Sequence, residues 1–380
     1  MAEPTARALP VVTGLSAVSA CGRGVEQLFE RAAAGEAAFG PVTRFDASRY
    51  RVATAAQMPG SPDLADELAM AVEEACTAAG LSADQRGSSR LLLAGHPDPA
   101  LVRQPAGEPA GRSPAADARA LAARCGLRDA VRTYTNACVA GSTAVADAAA
   151  MIATGRADCL VVAAGYLVDE DYFALFDAGR ALASDGRLRP FSTGRQGLLL
   201  GDGVAAVVLE SAAAARRRGA PVLARLVGWG RAGDAHHVSQ PHPEGTGLAR
   251  AIWAALRKAD LLPTDIGYIN AHGTGTRASD TAEAAGLHRA LGRSLPGIPV
   301  SSSKSVHGHT LEASGLLELT VTVSALRAGR LPVNSGFLGT DQECRLKLVT
   351  EAPYQAAPGY ALSLNAAFGG ANTALLVGAP

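Results

Sequence analysis

The sequence predicts an α/β fold with buried, mixed β-sheets, and three observations support this prediction. Short apolar runs alternate with helix-length segments along the chain. Residues 159–165 and 203–209 are apolar without interruption, which is typical of strands that are buried on both faces of a sheet. The second part of the chain repeats this alternation in the style of the first. With 380 residues, the chain can hold two domains or one large duplicated unit.

The elements of the first part follow from local patterns. Residues 11–14 indicate a short buried strand that ends in a turn at Gly14, and residues 22–35 indicate a helix. Five prolines in residues 97–114 predict a surface loop. A strand-like segment ends at Cys138, and residues 139–154 then form a helix that is small or apolar on nearly every face. We expect that helix to be buried.

The second part begins after a joint at residues 216–221, which are rich in Arg, Gly and Pro. It contains two predicted helices, residues 246–259 and 311–328. Its predicted strands share short apolar runs and comprise residues 222–228, 266–270, 360–365 and 373–377. The last two strands flank a turn at Phe368, Gly369 and Gly370.

The bulk composition excludes several classes of protein. A formal net charge of +0 gives no electrostatic case for nucleic acid or an anionic membrane. The sequence shows no signal peptide and no apolar run long enough to span a membrane, so we expect a cytoplasmic location with reduced thiols. None of the six cysteines forms a Cys-x-x-Cys pair, and no metal site is predicted.

The most informative position is Cys138, in the run Tyr-Thr-Asn-Ala-Cys-Val-Ala-Gly-Ser-Thr. A cysteine at the start of a buried helix feels the positive end of the helix dipole, so we expect a lowered thiol pKa. The chain also supplies His272 in Asn-Ala-His-Gly-Thr-Gly-Thr and His309 in Ser-Ser-Lys-Ser-Val-His-Gly-His. One thiol and two histidines in Gly/Ser/Thr-rich turns indicate covalent acyl transfer. His307, two residues before His309, is interpreted as a supporting or loop residue.

These motifs resemble those of the β-ketoacyl-acyl-carrier-protein synthases, the condensing enzymes of fatty acid and polyketide assembly. The resemblance spans nearly the whole chain. Its ordered motifs are residues 11–19, residues 42–46, the cysteine turn, residues 189–191, residues 270–276, Lys304 with His309, and residues 368–372.

The resemblance implies a thiolase-like, five-layer αβαβα fold of two pseudo-equivalent halves, and a dimer. Residues 1–218 would form the half with the cysteine, and residues 219–380 the half with both histidines and the lysine. By the same resemblance, Cys138 accepts an acyl chain from the phosphopantetheine of an acyl carrier protein. His272 and His309 then bind the carbonyl of a malonyl-type extender and promote its decarboxylation. No permanently bound cofactor is implied.

Further roles are implied for supporting residues. Lys304 would hold the histidine region through charge and hydrogen bonds. The backbone N–H groups of Cys138 and Phe368 would form an oxyanion hole, with Gly369 and Gly370 permitting close approach. Thr274 and Thr276 match positions that touch the pantetheine arm. Asp280 and Glu283 match positions that brace the site from behind.

The chain departs from the family pattern at several places. Ser192, Gln196 and Glu312 stand where the family usually has Asp, Asp and Gly, and Ala367 replaces a common Gly. The stretch near residues 90–130 is also short by about two to three dozen residues relative to the family. Two alternatives therefore stay open: another reaction of the same acyl-Cys138 intermediate, such as acyl transfer or cyclisation, and a non-catalytic, chain-length-setting partner in a heterodimer.

Overall fold

The computed structural model describes residues 8–96 and 113–380. The loop predicted over residues 97–114 therefore lies almost entirely outside the described residues. The helices, numbered in chain order, are α1 Val25–Ala34, α2 Leu64–Ala78, α3 Ala83–Ser88, α4 Pro114–Arg124, α5 Ala140–Ala153, α6 Glu170–Ala178, α7 Ala212–Arg217, α8 Thr246–Ala259, α9 Arg277–Leu291, α10 Lys304–His307 and α11 Ser314–Ala328.

The strands range from two to ten residues in length. They are β1 Pro10–Ser19, β2 Gly22–Arg23, β3 Gly40–Pro41, β4 Thr54–Ala55, β5 Arg90–Ala94, β6 Asp129–Tyr134, β7 Cys159–Tyr166, β8 Gly203–Ser211, β9 Ala224–Gly233, β10 Tyr268–Asn270, β11 Pro299–Ser301, β12 Arg330–Leu331, β13 Lys347–Leu348, β14 Tyr354–Gln355, β15 Tyr360–Ala367 and β16 Ala371–Gly378. Short 3₁₀ turns at Ala137–Val139 and Leu311–Ala313 precede α5 and α11.

The strands of the two parts of the chain follow the same order. The first set runs β1-β8-β7-β5-β6, and the second runs β9-β16-β15-β10-β11. Strand β1 lies antiparallel to β8, as β9 lies antiparallel to β16 in the second set. Strand β5 runs parallel to β6, as β10 runs parallel to β11. A short antiparallel pairing between β1 and β9 joins the two sets. The mixed pairing and the shared order are those of a duplicated α/β unit.

Five layers follow from how the helices pack. Helices α5 and α11 contact each other and also contact strands of both sets, so they lie between the two sheets. Helix α2 covers the outer face of the first sheet, while α8 covers the outer face of the second and packs on α9. The central helices approach closely at Gly141 and Gly315, where an added Cβ would lie 2.8 Å from the Glu312 carbonyl oxygen and 2.3 Å from the Ser142 nitrogen.

Several of the predicted element boundaries are wrong. The strand-like segment expected to end at Cys138 ends at Tyr134, and the strand expected over residues 222–228 is Ala224–Gly233. Two further cases have a clear physical reason. Strand β1 does not end at Gly14 but continues to Ser19, with an irregularity in its register opposite β8 between Val12 and Gly14. A Cβ at Gly14 would lie 2.2 Å from the Ala75 carbonyl oxygen, so this glycine lets α2 pack closely on the strand. The helix predicted over residues 22–35 begins only at Val25, because Gly22–Arg23 pairs with the end of β1.

Candidate functional site

A sharp strand-to-helix connection positions Cys138. Strand β6 ends at Tyr134, and Ala137 adopts a φ of 54°, a left-handed conformation that is uncommon for a residue other than glycine. Cys138 then lies in the 3₁₀ turn before α5 and is 7% exposed. The helix itself is buried almost throughout, as the sequence predicts. The thiol is thereby held at the inner end of a cavity.

The pKa of Cys138 moves opposite to the expectation from the helix dipole. Burial raises it from its ordinary value of 9.0 to about 12, and the carboxylate of Glu312 adds to the rise. A rise of this size corresponds to about 4 kcal/mol, whereas a helix dipole contributes only about 0.3–1 kcal/mol. Desolvation therefore wins, and the predicted lowering is wrong for the resting site. The thiol needs a neighbouring base to lose its proton.

His309 is that neighbour. Its Nε2 lies 3.1 Å from Cys138 Sγ, and its Nδ1 lies 3.0 Å from the Ser314 hydroxyl. The backbone of His309 is fixed on both sides, since its N–H donates to the Leu199 carbonyl at 2.7 Å and its carbonyl accepts from Gly201 at 3.0 Å. Burial and the charge of Lys304 hold the pKa of His309 well below its usual range. The imidazole is therefore neutral, and the free electron pair of its Nε2 can accept a hydrogen bond from the thiol.

His272 lies beside His309 with its ring edge-to-face, at 5.5 Å between centroids. The backbone N–H groups of His272 and Gly273 donate to the two carboxylate oxygens of Glu283, at 2.8 and 2.7 Å. The buried Nδ1 of His272 has no hydrogen-bond partner within residues 8–96 and 113–380. Burial and Lys304 also lower the pKa of His272 well below its usual range. A second neutral imidazole thus faces the same cavity.

Lys304 is completely buried and binds Glu318 on α11 rather than either histidine. The second carboxylate oxygen of Glu318 accepts from Asn365 Nδ2 at 2.6 Å. Burial raises the pKa of Glu318 to about 6, although Lys304 and Asn365 act against that rise. The predicted hydrogen bonds of Lys304 therefore go elsewhere, and its effect on the histidines is electrostatic. Glu318 was not predicted, although it is the one acidic residue in the sequence of α11.

Asp280 supports the loops from behind. Its carboxylate accepts from the backbone N–H groups of Phe191 at 2.6 Å and Gly275 at 3.0 Å, and Arg195 lies 3.8 Å away. Burial raises the pKa of Asp280 to about 7 and that of Glu283 to about 8. Both carboxyl groups thus bind the backbone of the turns that carry His272 and Thr274.

Phe368, Gly369 and Gly370 form the turn between β15 and β16. Phe368 is 55% exposed and stacks on Phe176 at 6.0 Å between ring centroids. Gly369 and Gly370 have φ values of 83° and 74°, which strongly favour glycine. The Gly369 N–H donates to the Val238 carbonyl at 2.8 Å, which ties the turn to a neighbouring loop.

A cavity of about 340 Å³ brings most of the predicted residues together. Cys138, His272 and His309 line its inner end, and Thr274 and Thr276, whose hydroxyls lie 3.0 Å apart, line its wall together with Phe368. Exposed Arg180 and Arg277 line its outer part, and none of the described residues in the lining is acidic. Lys304, Asp280 and Glu283 lie outside this lining. His307 also lies outside it; it is buried with its Nε2 3.2 Å from the Ser303 hydroxyl.

The departures from the family pattern fall in different places. Gln196 and Ala367 line the cavity of Cys138. Ser192 is buried and structural, since its hydroxyl accepts from the Leu338 N–H at 2.9 Å. Glu312 is 4% exposed and lines a second cavity that also contains Cys138. Within the described ranges, no group of three or more His, Cys, Asp or Glu side chains could hold a metal ion, and no helix is long and apolar enough to cross a membrane.

Comparison with known proteins agrees with this geometry. Residues 75–215 match the model of the β-ketoacyl synthase N-terminal domain, and residues 223–337 match that of the C-terminal domain. A putative polyketide β-ketoacyl synthase of Streptomyces halstedii is 32% identical over 412 aligned positions, covering 97% of this chain and 98% of the relative. The 3-oxoacyl-[acyl-carrier-protein] synthase 2 of Coxiella burnetii is 29% identical, covering 97% of each chain.

A solved structure, the ishigamide ketosynthase/chain length factor, superposes with a TM-score of 0.89 at 28% identity. The match covers 99% of this chain and 100% of that one. This likeness confirms the thiolase-like α/β fold that the motifs implied. Matched in both halves and over nearly its whole length, the chain belongs to the β-ketoacyl synthase family of acyltransferases.

Proposed function

We propose that this chain condenses an acyl group held as a thioester on Cys138 with a malonyl-type extender carried on the phosphopantetheine of an acyl carrier protein. The observation that carries the proposal is the contact of 3.1 Å between Cys138 Sγ and His309 Nε2, with a second neutral imidazole beside it in the same cavity. This set provides a nucleophile, its base and two donors for an anionic oxygen.

The first step is loading of the acyl group. His309 Nε2 takes the proton of Cys138, and the sulfur attacks the thioester carbonyl of the acyl carrier. The carbon–sulfur bond to pantetheine breaks, and the departing pantetheine sulfur takes the proton back from His309. Because burial holds the pKa of Cys138 at about 12, this transfer to His309 replaces a pre-formed thiolate.

The second step is condensation. The extender loses carbon dioxide, and the electron pair of the broken carbon–carbon bond enters an enolate whose oxygen accepts hydrogen bonds from His272 and His309. For this step His309 takes the tautomer that carries its proton on Nε2, with Nδ1 accepting from the Ser314 hydroxyl. The enolate carbon attacks the acyl-Cys138 carbonyl, whose oxygen is stabilised by the backbone N–H groups of Cys138 and Phe368. Collapse releases a β-ketoacyl thioester on the carrier and the thiolate of Cys138, which takes a proton from solvent water because the extender carboxylate has left as neutral carbon dioxide.

The outer part of the cavity suits a carrier-bound substrate. Phosphopantetheine carries a phosphate, and we expect the exposed Arg180 and Arg277, which line this cavity, to bind it. Thr274 and Thr276 offer hydroxyls to the amides of the pantetheine arm further in. The name of the Coxiella relative specifies an acyl-carrier-protein substrate. We infer that acyl and malonyl groups reach this chain on a carrier in the cytoplasm, without a resident cofactor.

Intact-mass analysis of the protein mixed with acyl-carrier and malonyl-carrier protein tests the proposal. We expect an acyl adduct on Cys138 that disappears when the malonyl carrier is added, with formation of a β-ketoacyl carrier. The Cys138→Ala variant should form no adduct. An unmodified protein, or an adduct that persists in Cys138→Ala, would overturn the assignment. An adduct that forms but passes to water or an alcohol would favour the alternative reactions.

We also propose that the chain acts as a dimer, with itself or with a related synthase-like chain. Within the chain, we place the boundary between the two halves between residues 218 and 219. Strand β6 forms an edge of the described sheet and pairs there only with β5, and its Val131 is 39% exposed. The ishigamide structure is named as a ketosynthase/chain length factor. Light scattering at micromolar concentration should give a dimer. A fully active monomer would refute this, whereas an inactive monomer that a second chain rescues would support the heterodimer.

A further inference from the structure

Among the described residues, one charged side chain lines the second cavity beside Cys138, that of Glu312. This cavity measures about 510 Å³. The other described residues of its lining are uncharged, and the larger apolar and aromatic ones are Leu175, Leu311, Tyr172, Phe176 and Phe368. It shares Cys138 with the cavity that holds His272 and His309. An acyl group on Cys138 that points away from the histidines would enter it.

The backbone fixes Glu312 close to the nucleophile. Glu312 lies in the 3₁₀ turn Leu311–Ala313, which packs on the turn of Cys138. Its carbonyl oxygen faces Gly141 of α5, where an added Cβ would come within 2.8 Å. The proximity of the carboxylate is also felt electrostatically, since it raises the pKa of both Cys138 and Tyr172.

The carboxylate is buried but only partly bound. Its Oε2 lies 3.4 Å from His96 Nδ1, while Oε1 receives no hydrogen bond from the described residues. The residue is 4% exposed and lines the cavity, so its carboxylate meets solvent mainly through that cavity. His96 lies against Tyr172, with 4.7 Å between ring centroids, and helps to hold the carboxylate at the cavity wall. An acceptor oxygen that faces a cavity and has no donor among the described residues can take a hydrogen bond from a ligand that carries a donor.

Building on the proposed function, we propose that Glu312 selects acyl groups that carry a hydrogen-bond donor, a hydroxyl or an amine, near the thioester. Such a group would donate to Glu312 Oε1 while its thioester carbon is held at Cys138. A wholly hydrocarbon acyl chain would leave the carboxylate dehydrated and without a donor in the same cavity. We therefore expect Glu312 to slow the loading of hydrocarbon chains as well as to speed the loading of donor-bearing chains.

The test compares three pantetheine thioesters that differ in one group: a saturated acyl chain, its hydroxylated derivative and its aminated derivative. Rates of Cys138 acylation are measured by intact mass for the wild-type protein, Glu312→Gln, Glu312→Gly and the exposed control Glu351→Gln. We expect the wild type and the control to load a donor-bearing chain about tenfold or more faster than the saturated chain, because a hydrogen bond to a charged group is worth about that much. Glu312→Gly should bring the ratio close to one.

The two derivatives separate the possible donors. A preference for the amine alone would mean that charge pairing with Glu312 dominates, and Glu312→Gln should then abolish it. A preference for the hydroxyl that Glu312→Gln partly retains would mean that hydrogen bonding dominates. Equal loading of all three chains by the wild type, or a preference that survives in Glu312→Gly, would overturn the proposal.

A binding measurement distinguishes this proposal from the proposed function. The same three thioesters are titrated into the Cys138→Ala variant by calorimetry, where no acyl transfer can take place. Tighter binding of donor-bearing chains without any acylation of the wild type would sustain the selectivity and refute the condensing activity. Efficient acylation of the wild type with no preference in either assay would refute the selectivity and sustain the proposed function.

Discussion

Replacement of Lys304 by Met should show that this lysine acts as half of a buried ion pair. The Lys304 ammonium and the Glu318 carboxylate are in direct contact and both are fully buried. In Lys304→Met, the carboxylate keeps only its bond from Asn365 Nδ2, at 2.6 Å. An uncompensated buried charge costs about 3–5 kcal/mol. We expect the free energy of unfolding to fall by about that amount.

The double variant Lys304→Met/Glu318→Leu tests the reasoning. It removes both charges from the same buried space, and replacement of a whole buried pair by apolar side chains is often neutral. We expect it to recover most of the lost stability in urea denaturation followed by circular dichroism. Lys347→Met, which changes an exposed lysine, serves as the control and should leave the stability unchanged.

Activity should not recover together with stability. The charge of Lys304 lowers the pKa of His272 and His309, and it also opposes the raised pKa of Cys138. The double variant lacks that charge and also the smaller, opposite effect of Glu318 on the pKa of Cys138, so the net change still raises that pKa, and acylation of Cys138 should stay slow although the fold is restored. A loss below about 1 kcal/mol in Lys304→Met, or a double variant as unstable as the single one, would refute this account of the pair.

Three further predictions concern the site. A small alkylating reagent should label Cys138 before the other cysteines, because His309 can accept its proton; faster labelling of the partly exposed Cys159 would contradict this. His272→Ala should spare acylation of Cys138 but reduce condensation by about 10²–10³-fold, whereas His309→Ala should slow both steps; equal loading by the two variants in single-turnover assays would refute the base role of His309. The stability of the wild type relative to Glu283→Gln should fall as the pH rises from about 4 to about 8, since burial raises the folded-state pKa of Glu283 to about 8 while the unfolded chain titrates near 4. Urea denaturation of both proteins across that range would show a constant difference if this were wrong.

Local patterns were sufficient for some of the regular elements. The helix predicted over residues 246–259 has these same bounds in the structure, because its apolar face repeats with helical periodicity and Gly245 precedes it. The strand predicted at residues 159–165 matches Cys159–Tyr166 within one residue. A short, continuous apolar run between a turn and a polar segment is typical of a buried strand and too short for most helices. The prediction at Gly14 was wrong because the local sequence does not distinguish two roles of glycine. A glycine can end a strand, or it can lie within a strand and allow a helix to pack closely on it, as Gly14 does.

The motifs around Cys138, His272 and His309 determined the family and the residue types of the site before any geometry was known. Only the tertiary structure decided how those residues interact. Cys138 and His309 are 171 positions apart, and their contact depends on the close approach of α5 and α11 at two glycines. The ion-pair partner of Lys304 and the direction of the pKa shift of Cys138 likewise depend on which groups the tertiary structure buries together. Desolvation is a property of the packed interior, and no local pattern of residues encodes it.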